Sequence, residues 1–313
     1  MTRGGYYMKA IKYTVNNQKK KRLKDYRGLF FIMPWLIGFL FLQLYPFLAS
    51  LYYSFTQYSV LGQPKFIGLD NYIRLFTIDP DFKKSIMVTM KYALISVPSK
   101  LFFALIVALI LNMRLKGING FRTVYYIPSI LGGSVAVSAL WRLMFMSDGI
   151  LNKLLELIGL PSVNWLGQAG TAMFTICLLQ VWQFGSSMVL FLAALKQIPV
   201  DLHEAASIDG AGKVKRFFYI TLPIITPIVF FNLIMQTINA LQNFTSAFVI
   251  TNGGPLKSTY LIGMKLYTEG FSNFKMGYAS AISWILFAII LIFTLFIFKS
   301  SDAWVYYEDG GDF

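Results

Sequence analysis

Residues 204–223 read EAASIDGAGKVKRFFYITLP, a short polar segment set between two long apolar stretches. Pro199 lies just ahead of it and keeps the preceding apolar run from continuing smoothly. Asp201 has the spacing of an N-cap, with Glu204 three residues on completing a capping-box-like pair. Asp209-Gly210 supplies a C-terminal stop. A second short helix is expected over 213–221, turning Lys213, Lys215 and Arg216 to water or lipid headgroups, with Pro223 starting the next span. The expected form is a helix-turn-helix elbow whose tip of small residues lets a partner approach closely.

Working outward, the chain is apolar enough for lipid to be its solvent. Of 313 residues, 56% are hydrophobic and only 13% charged, against roughly 25% charged in soluble domains. Six stretches exceed the roughly 18 apolar residues of a bilayer-crossing helix. They fall near 29–51, 87–111, 123–145, 171–195, 223–249 and 277–299. The reading is an all-α polytopic membrane protein with six transmembrane helices.

The formal net charge of +14 follows topology. Nine Lys/Arg lie in residues 1–28; Arg114, Lys116 and Arg122 flank a later hinge, and Lys196, Lys213, Lys215 and Arg216 surround the elbow. Six spans with a cytoplasmic amino terminus put all of these, and Lys299, on the inner side of the membrane, as the positive-inside rule requires. Both termini are then cytoplasmic. No aromatic-interleaved basic patch suits nucleic acid.

The organisation expected is a basic cytoplasmic arm (1–28), a first span with an outer segment (29–86), a core of five spans (87–299) holding the loop 199–222, and an acidic tail (300–313) with Asp302, Glu308, Asp309 and Asp312. The long basic start and long apolar run do not fit a cleavable signal. Pro46 should kink or stop the first span, GLDNYIRLF (68–76) suggests a short surface helix, and Pro128 with Gly132-Gly133 should bend the third. GILNKLLELIGL (149–160) reads as an amphipathic interfacial piece, and TNGGP (251–255) as a turn. Cys177 reads as a small apolar packing residue.

An ordinary interfacial loop would explain an EAA triplet. It does not explain the whole spacing, with Gly210 six residues after Glu204, Ile220 ten after Gly210, and Leu222-Pro223 following. The segment resembles the coupling loop of type I ABC importer permeases, and the resemblance runs over roughly 29–299. FVITNGGP (248–255), LFFIMPWLIGFLFLQLYPF (29–47) and FIGLDNYIRLF (66–76) are similar to the carbohydrate branch, to the MalF-like member of a MalF/MalG-type pair. The chain lacks the large outer domain and two extra amino-terminal spans of the maltose permease.

The resemblance implies the ABC transporter type-1 (MetI-like) permease fold and a permease subunit of an ATP-driven, binding-protein-dependent importer of sugars or oligosaccharides, acidic ones among the candidates. It implies a MalG-like second permease, two cytoplasmic ATPases that hold ATP-Mg, and an extracytoplasmic sugar-binding protein delivering to 52–86, 147–170 and 251–276. Glu204, Ala205, Ala206, Ser207, Asp209, Gly210, Ala211 and Gly212 would sit in a groove of an ATPase and transmit its closure. The chain itself is expected to hold no cofactor. DGAGKVK departs from a phosphate loop, since Ser207 and Val214 occupy the places of its first Gly and its Ser/Thr.

Substrate contacts are expected from the fifth span. Asn232, Gln236, Asn239 and Asn243, separated by four, three and four, share one helical face. Amides facing lipid would leave polar groups unmet, so these face protein or water. Interhelical bonding is one use; sugar hydroxyls, which need both donors and acceptors, are another. In the resembled permease, sugar-contacting positions align to Gln236, Asn239 and Asn243, two of them as different residue types. Gln183, Ser186 and Trp182 are candidates from span four, with Tyr278, Ser283 and Trp284 weaker ones on span six.

Lys100 stands near the middle of span two, where insertion scales assign a lysine about 2.5–3.5 kcal/mol. Snorkelling, a water-lined site, or a cavity position favouring a uronide are its readings. Lacking a nucleophile–base constellation, with one histidine (His203) and no metal-binding run, the chain does not read as an enzyme or a metal site. No acidic residue at mid-depth in spans four to six argues against ion coupling. An ABC permease for another solute class is the alternative.

Overall fold

The computed structural model describes residues 27–113 and 117–306. Most of the basic arm, Arg114, Lys116 and the tail residues Glu308, Asp309 and Asp312 lie outside the described residues. The chain divides into two compact units, residues 1–52 and 53–313.

In the first unit, α1 (Arg27–Gly38) passes through a π-helical turn (Phe39–Leu44) into α2 (Tyr45–Ser54). Pro46 therefore does not stop the span. It follows the wide turn, where the ladder is already loosened and a missing N–H costs least.

The second unit opens with a two-residue pairing of β1 (Thr56–Gln57) and β2 (Lys65–Phe66), then α3 (Asp70–Thr77), the short helix expected from GLDNYIRLF. The central helix, α4 (Pro80–Leu111), begins seven residues before the expected 87. Asp79 caps it, accepting the Phe82 N–H at 3.1 Å, and Pro80 occupies the first turn, where proline's missing donor is harmless. Tyr92, Ala104 and Ala108 are fully buried along it, and it packs against elements that contribute Ile176, Phe191 and Ile225 to the core.

Span three is broken into α5 (Ile118–Leu131) and α6 (Val135–Met144), bent by 104°. The bend falls at Gly132-Gly133, with Gly133 at φ +79°, and Ser134 caps the restart by accepting the Val137 N–H. Pro128 sits inside α5 and is not the break. The amphipathic piece forms α7 (Ile150–Leu157). Span four divides into α8 (Ala169–Trp182) and α9 (Gly185–Gln197), bent by 44°.

After α9 come α10 (Val200–Ile208) and α11 (Lys213–Arg216). The latter is no separate helix: a π turn (Phe217–Thr221) carries it into α12 (Leu222–Leu241), giving one helical stretch Lys213–Leu241. Span five ends at Leu241, short of the expected 249; residues 242–244 interrupt it before α13 (Thr245–Thr251). Asn252 and Gly253, both at positive φ, make the turn expected at TNGGP. Then α14 (Ile262–Tyr267) runs through a π turn (Thr268–Ser272), and α15 (Met276–Ser301) closes the unit.

Four helical stretches are long and apolar enough to cross a membrane, and the two bent pairs bring the number to six if each is one span. The chain is a multi-pass membrane protein. The Tyr306 N–H donates to Thr226 near the start of α12, so α15 ends beside the elbow. The starts of α4 and α15 meet at the opposite end, where Tyr278 bonds Asp79.

Candidate functional site

Two places could carry function: a polar cavity inside the bundle and the exposed elbow between α9 and α12. The cavity, about 380 Å³, opens where both bent spans break and where α12 gives way to 242–244. Helix breaks leave backbone groups unpaired at membrane depth, which is tolerated only beside protein or a water-filled space. A side chain from span three bridges the break in span four. The Ser129 hydroxyl donates to the Gln183 carbonyl at 3.0 Å and accepts the Ser186 N–H at 2.9 Å. Gly185 permits that approach, since a Cβ there would lie 2.4 Å from the Tyr125 carbonyl. Gly132 likewise makes room for the Gln183 side chain, whose Oε1 would stand 2.6 Å from an added Cβ.

Lys100, Gln183, Ser186, Gln236, Asn239 and Asn243 all line this cavity. Gln236 is buried and its Oε1 has no partner. Asn239 is exposed, and Lys100 is only 5% exposed. Asn243 does not belong to the helical stripe, since α12 has already ended; it is held by donating to the Tyr92 hydroxyl and accepting from Ser246 at 2.9 Å.

Two candidates do not reach the cavity. Asn232 lies one turn nearer the elbow, is 1% exposed, and turns its amide back onto the Ile228 carbonyl at 3.1 Å. The stripe reading placed it on the right face but could not see that the cavity closes below Gln236. Trp182, half-buried, packs against Trp141 with ring centroids 5.6 Å apart and does not line the cavity. On span six, Tyr278 serves the far end, Ser283 bonds back to the Ala279 carbonyl, and Trp284 packs on Phe287. None lines the cavity. Gln180, Gln242 and Thr245 do. Gln180 stands three residues before Gln183, a spacing that could have flagged it; Gln242 and Thr245 depend on an interruption with no Gly or Pro to announce it.

The larger cavity, about 610 Å³, lies at the far end and is lined by Lys65, Arg74 and Lys275 with Asp79 and Glu269. Its carboxylates are committed. Lys265 bridges Asp79 and Glu269, each at 2.8 Å; Tyr278 donates to Asp79 and Asn273 to Glu269. Burial pushes the Asp79 carboxyl up, but hydrogen bonds from Lys265, Tyr278 and the Phe82 N–H outweigh it and leave it below its ordinary value. Glu269 is lowered and Lys265 raised by the same balance of burial against partners. This cluster ties the starts of α4 and α15 to α14.

The elbow differs from its expected build. Helix α10 begins immediately after Pro199, which takes the cap position, so Asp201 and Glu204 lie inside the helix and make no capping box. Asp201 still complements the helix dipole from the first turn. The stop is as expected and more complete: Gly210 adopts φ +78°, its N–H donates to the Ser207 carbonyl at 3.1 Å, and the Ala211 N–H reaches the Ala206 carbonyl at 2.8 Å. These two bonds make a Schellman motif. Arg216 donates to the His203 carbonyl at 3.2 Å, holding the two limbs together. Glu204, Ala205, Ser207, Asp209, Gly210 and Gly212 are exposed, while Ala206 and Ala211 are half-buried. Val200, Ile208 and Val214 are exposed too, Ile208 by 87%.

Comparison with known proteins gives a consistent result. The profile of the family described as "Binding-protein-dependent transport system inner membrane component" matches residues 80–307. The chain is 49% identical over 290 residues to a probable ABC transporter permease protein, YesP, of Bacillus subtilis, covering 92% of this chain and 94% of that one. It is 36% identical over 278 residues to the trehalose/maltose transport system permease protein MalF of Thermococcus litoralis, covering 87% and 92%. A solved structure of a bacterial ABC transporter involved in the import of the acidic polysaccharide alginate contains a chain with TM-score 0.79 at 23% identity, covering 92% of this chain and 99% of that one. That likeness is one of fold.

Proposed function

The chain belongs to the family of binding-protein-dependent transport system inner membrane components, and from that premise we propose that it is the permease subunit of an ATP-driven importer whose cargo is a sugar or oligosaccharide. It works with a second, MalG-like permease, two ATPases beneath the elbow, and an extracytoplasmic sugar-binding protein. The elbow end is cytoplasmic, the far-end cluster extracytoplasmic. The chain holds no cofactor and performs no catalysis; ATP-Mg is held by the ATPases.

The observation that carries this reading is the amide-lined cavity at the meeting of two broken spans. Gln183, Gln236, Asn239 and Asn243 offer donors and acceptors together, which sugar hydroxyls require and a lipid or a bare cation does not. The relative from Thermococcus litoralis carries trehalose/maltose in its name, which supports the class of cargo. The exposed tip Glu204–Gly212, locked by Gly210, supports a docking role.

The test is uptake of labelled oligosaccharides into proteoliposomes holding the whole transporter. Uptake should need internal ATP and survive dissipation of a proton gradient; ATP-independent uptake would end the motor-driven reading. In parallel, Gly210→Trp should abolish co-purification of the ATPases while the permease still inserts. A variant that retains its ATPases would remove the elbow from the mechanism.

A further inference from the structure

Resting on the saccharide reading above, we infer that the cavity takes a sugar unit bearing a carboxylate, a uronic acid, and that Lys100 is its counter-charge. Lys100 lies 20 residues from the start of α4 and 11 from its end, about 30 Å and 16 Å along the axis at 1.5 Å per residue. Its burial among packed helices beside a polar cavity, rather than exposure towards lipid, is what distinguishes it from a snorkelling lysine.

The side chain is instead 95% buried and borders the polar cavity. The cavity lining contains no Asp or Glu, and among the described residues Lys100 makes no ion pair or hydrogen bond. An ammonium brings three donors and no acceptor. Neutral hydroxyls are already served by the lining amides, one of which, Gln236, keeps a carbonyl oxygen without a partner. What the lining leaves unanswered is a positive charge. A carboxylate answers it, and does so strongly where water is scarce.

The experiment uses the complete purified transporter and two probes, a uronic-acid trisaccharide and its carboxyl-reduced analogue. Uptake is measured in proteoliposomes. Direct binding is measured without the binding protein, so that its selectivity is not read as the permease's. Wild type should favour the acidic probe in both arms. Lys100→Gln should cut the acidic-to-neutral ratio about ten- to hundredfold, the range that a charged hydrogen bond of about 1.5–3 kcal/mol gives at 1.4 kcal/mol per decade. Lys100→Arg should restore most of it, which also controls for folding. An unchanged ratio in Lys100→Gln, or equal handling of both probes by wild type, overturns the inference and leaves the sugar reading intact. Failure of wild type to bind or move either probe overturns both.

Discussion

The protein buries two lysines to the same degree, and they lead opposite lives. Lys265 and Lys100 are each 5% exposed. Lys265, at the far end, meets two carboxylates at 2.8 Å, and those carboxylates are satisfied in turn by Tyr278, Asn273 and the Phe82 N–H. Lys100, at mid-depth, meets none among the described residues. Burial alone does not tell a fastening from a binding group; the partners do. A buried charge with a complete partner set holds helices together, whereas one beside an empty polar space is available to a ligand.

The largest effect should come from breaking the paired lysine. Lys265→Met leaves the buried Glu269 and the half-buried Asp79 without their shared cation and should lower stability by up to about 3–5 kcal/mol, read from denaturant unfolding in detergent micelles. A loss under about 1 kcal/mol would mean the cluster behaves as an exposed pair. The matching change at mid-depth should have the opposite sign. Lys100→Met removes an unpaired charge and should stabilise by about 1–2 kcal/mol, less than the insertion cost of a lysine because the ammonium borders a polar cavity. If it destabilises instead, Lys100 has a structural partner and the contrast collapses.

The smallest effect is the pH dependence of the far-end cluster. Asp79 and Glu269 are held below their ordinary values of 3.8 and 4.5. Their contribution is therefore complete above about pH 4.5 and lost as the pH falls through their lowered folded values. Lys265 is raised above 10.5, so its contribution is complete below that value and lost only as the pH rises through the raised one. Melting temperatures of wild type and Glu269→Gln should converge as the pH falls below about 4.5. Parallel curves would show that Glu269 does not carry the linkage.

The architecture and the elbow were legible because each has a local signature. Runs of apolar residues mark spans, and Asp209-Gly210 marks a helix stop by the conformational freedom of one glycine. What was not legible came from tertiary context. Asp79 and Pro80 start α4 early through a cap formed beside a polar neighbour, and the Pro199 start leaves Asp201 inside the helix although its spacing suits a cap. Of the amide stripe, Gln236 and Asn239 border the cavity because their helix persists, whereas Asn232 faces inward without bordering a space, and Asn243 borders it although the helix stops two residues before it. Trp182 carries an aromatic face suited to a sugar ring, but only the fold shows that it packs beside Trp141, away from the cavity lining.

The Ser129 hydroxyl spans the gap in a neighbouring strut, bonded to the chain on both sides of that gap, while its own strut is interrupted within a few residues at Gly132-Gly133. That hydroxyl, with the Tyr125–Phe184 ring contact and the close seat of Gly185 on the Tyr125 carbonyl, fastens two severed struts side by side at the wall of the chamber.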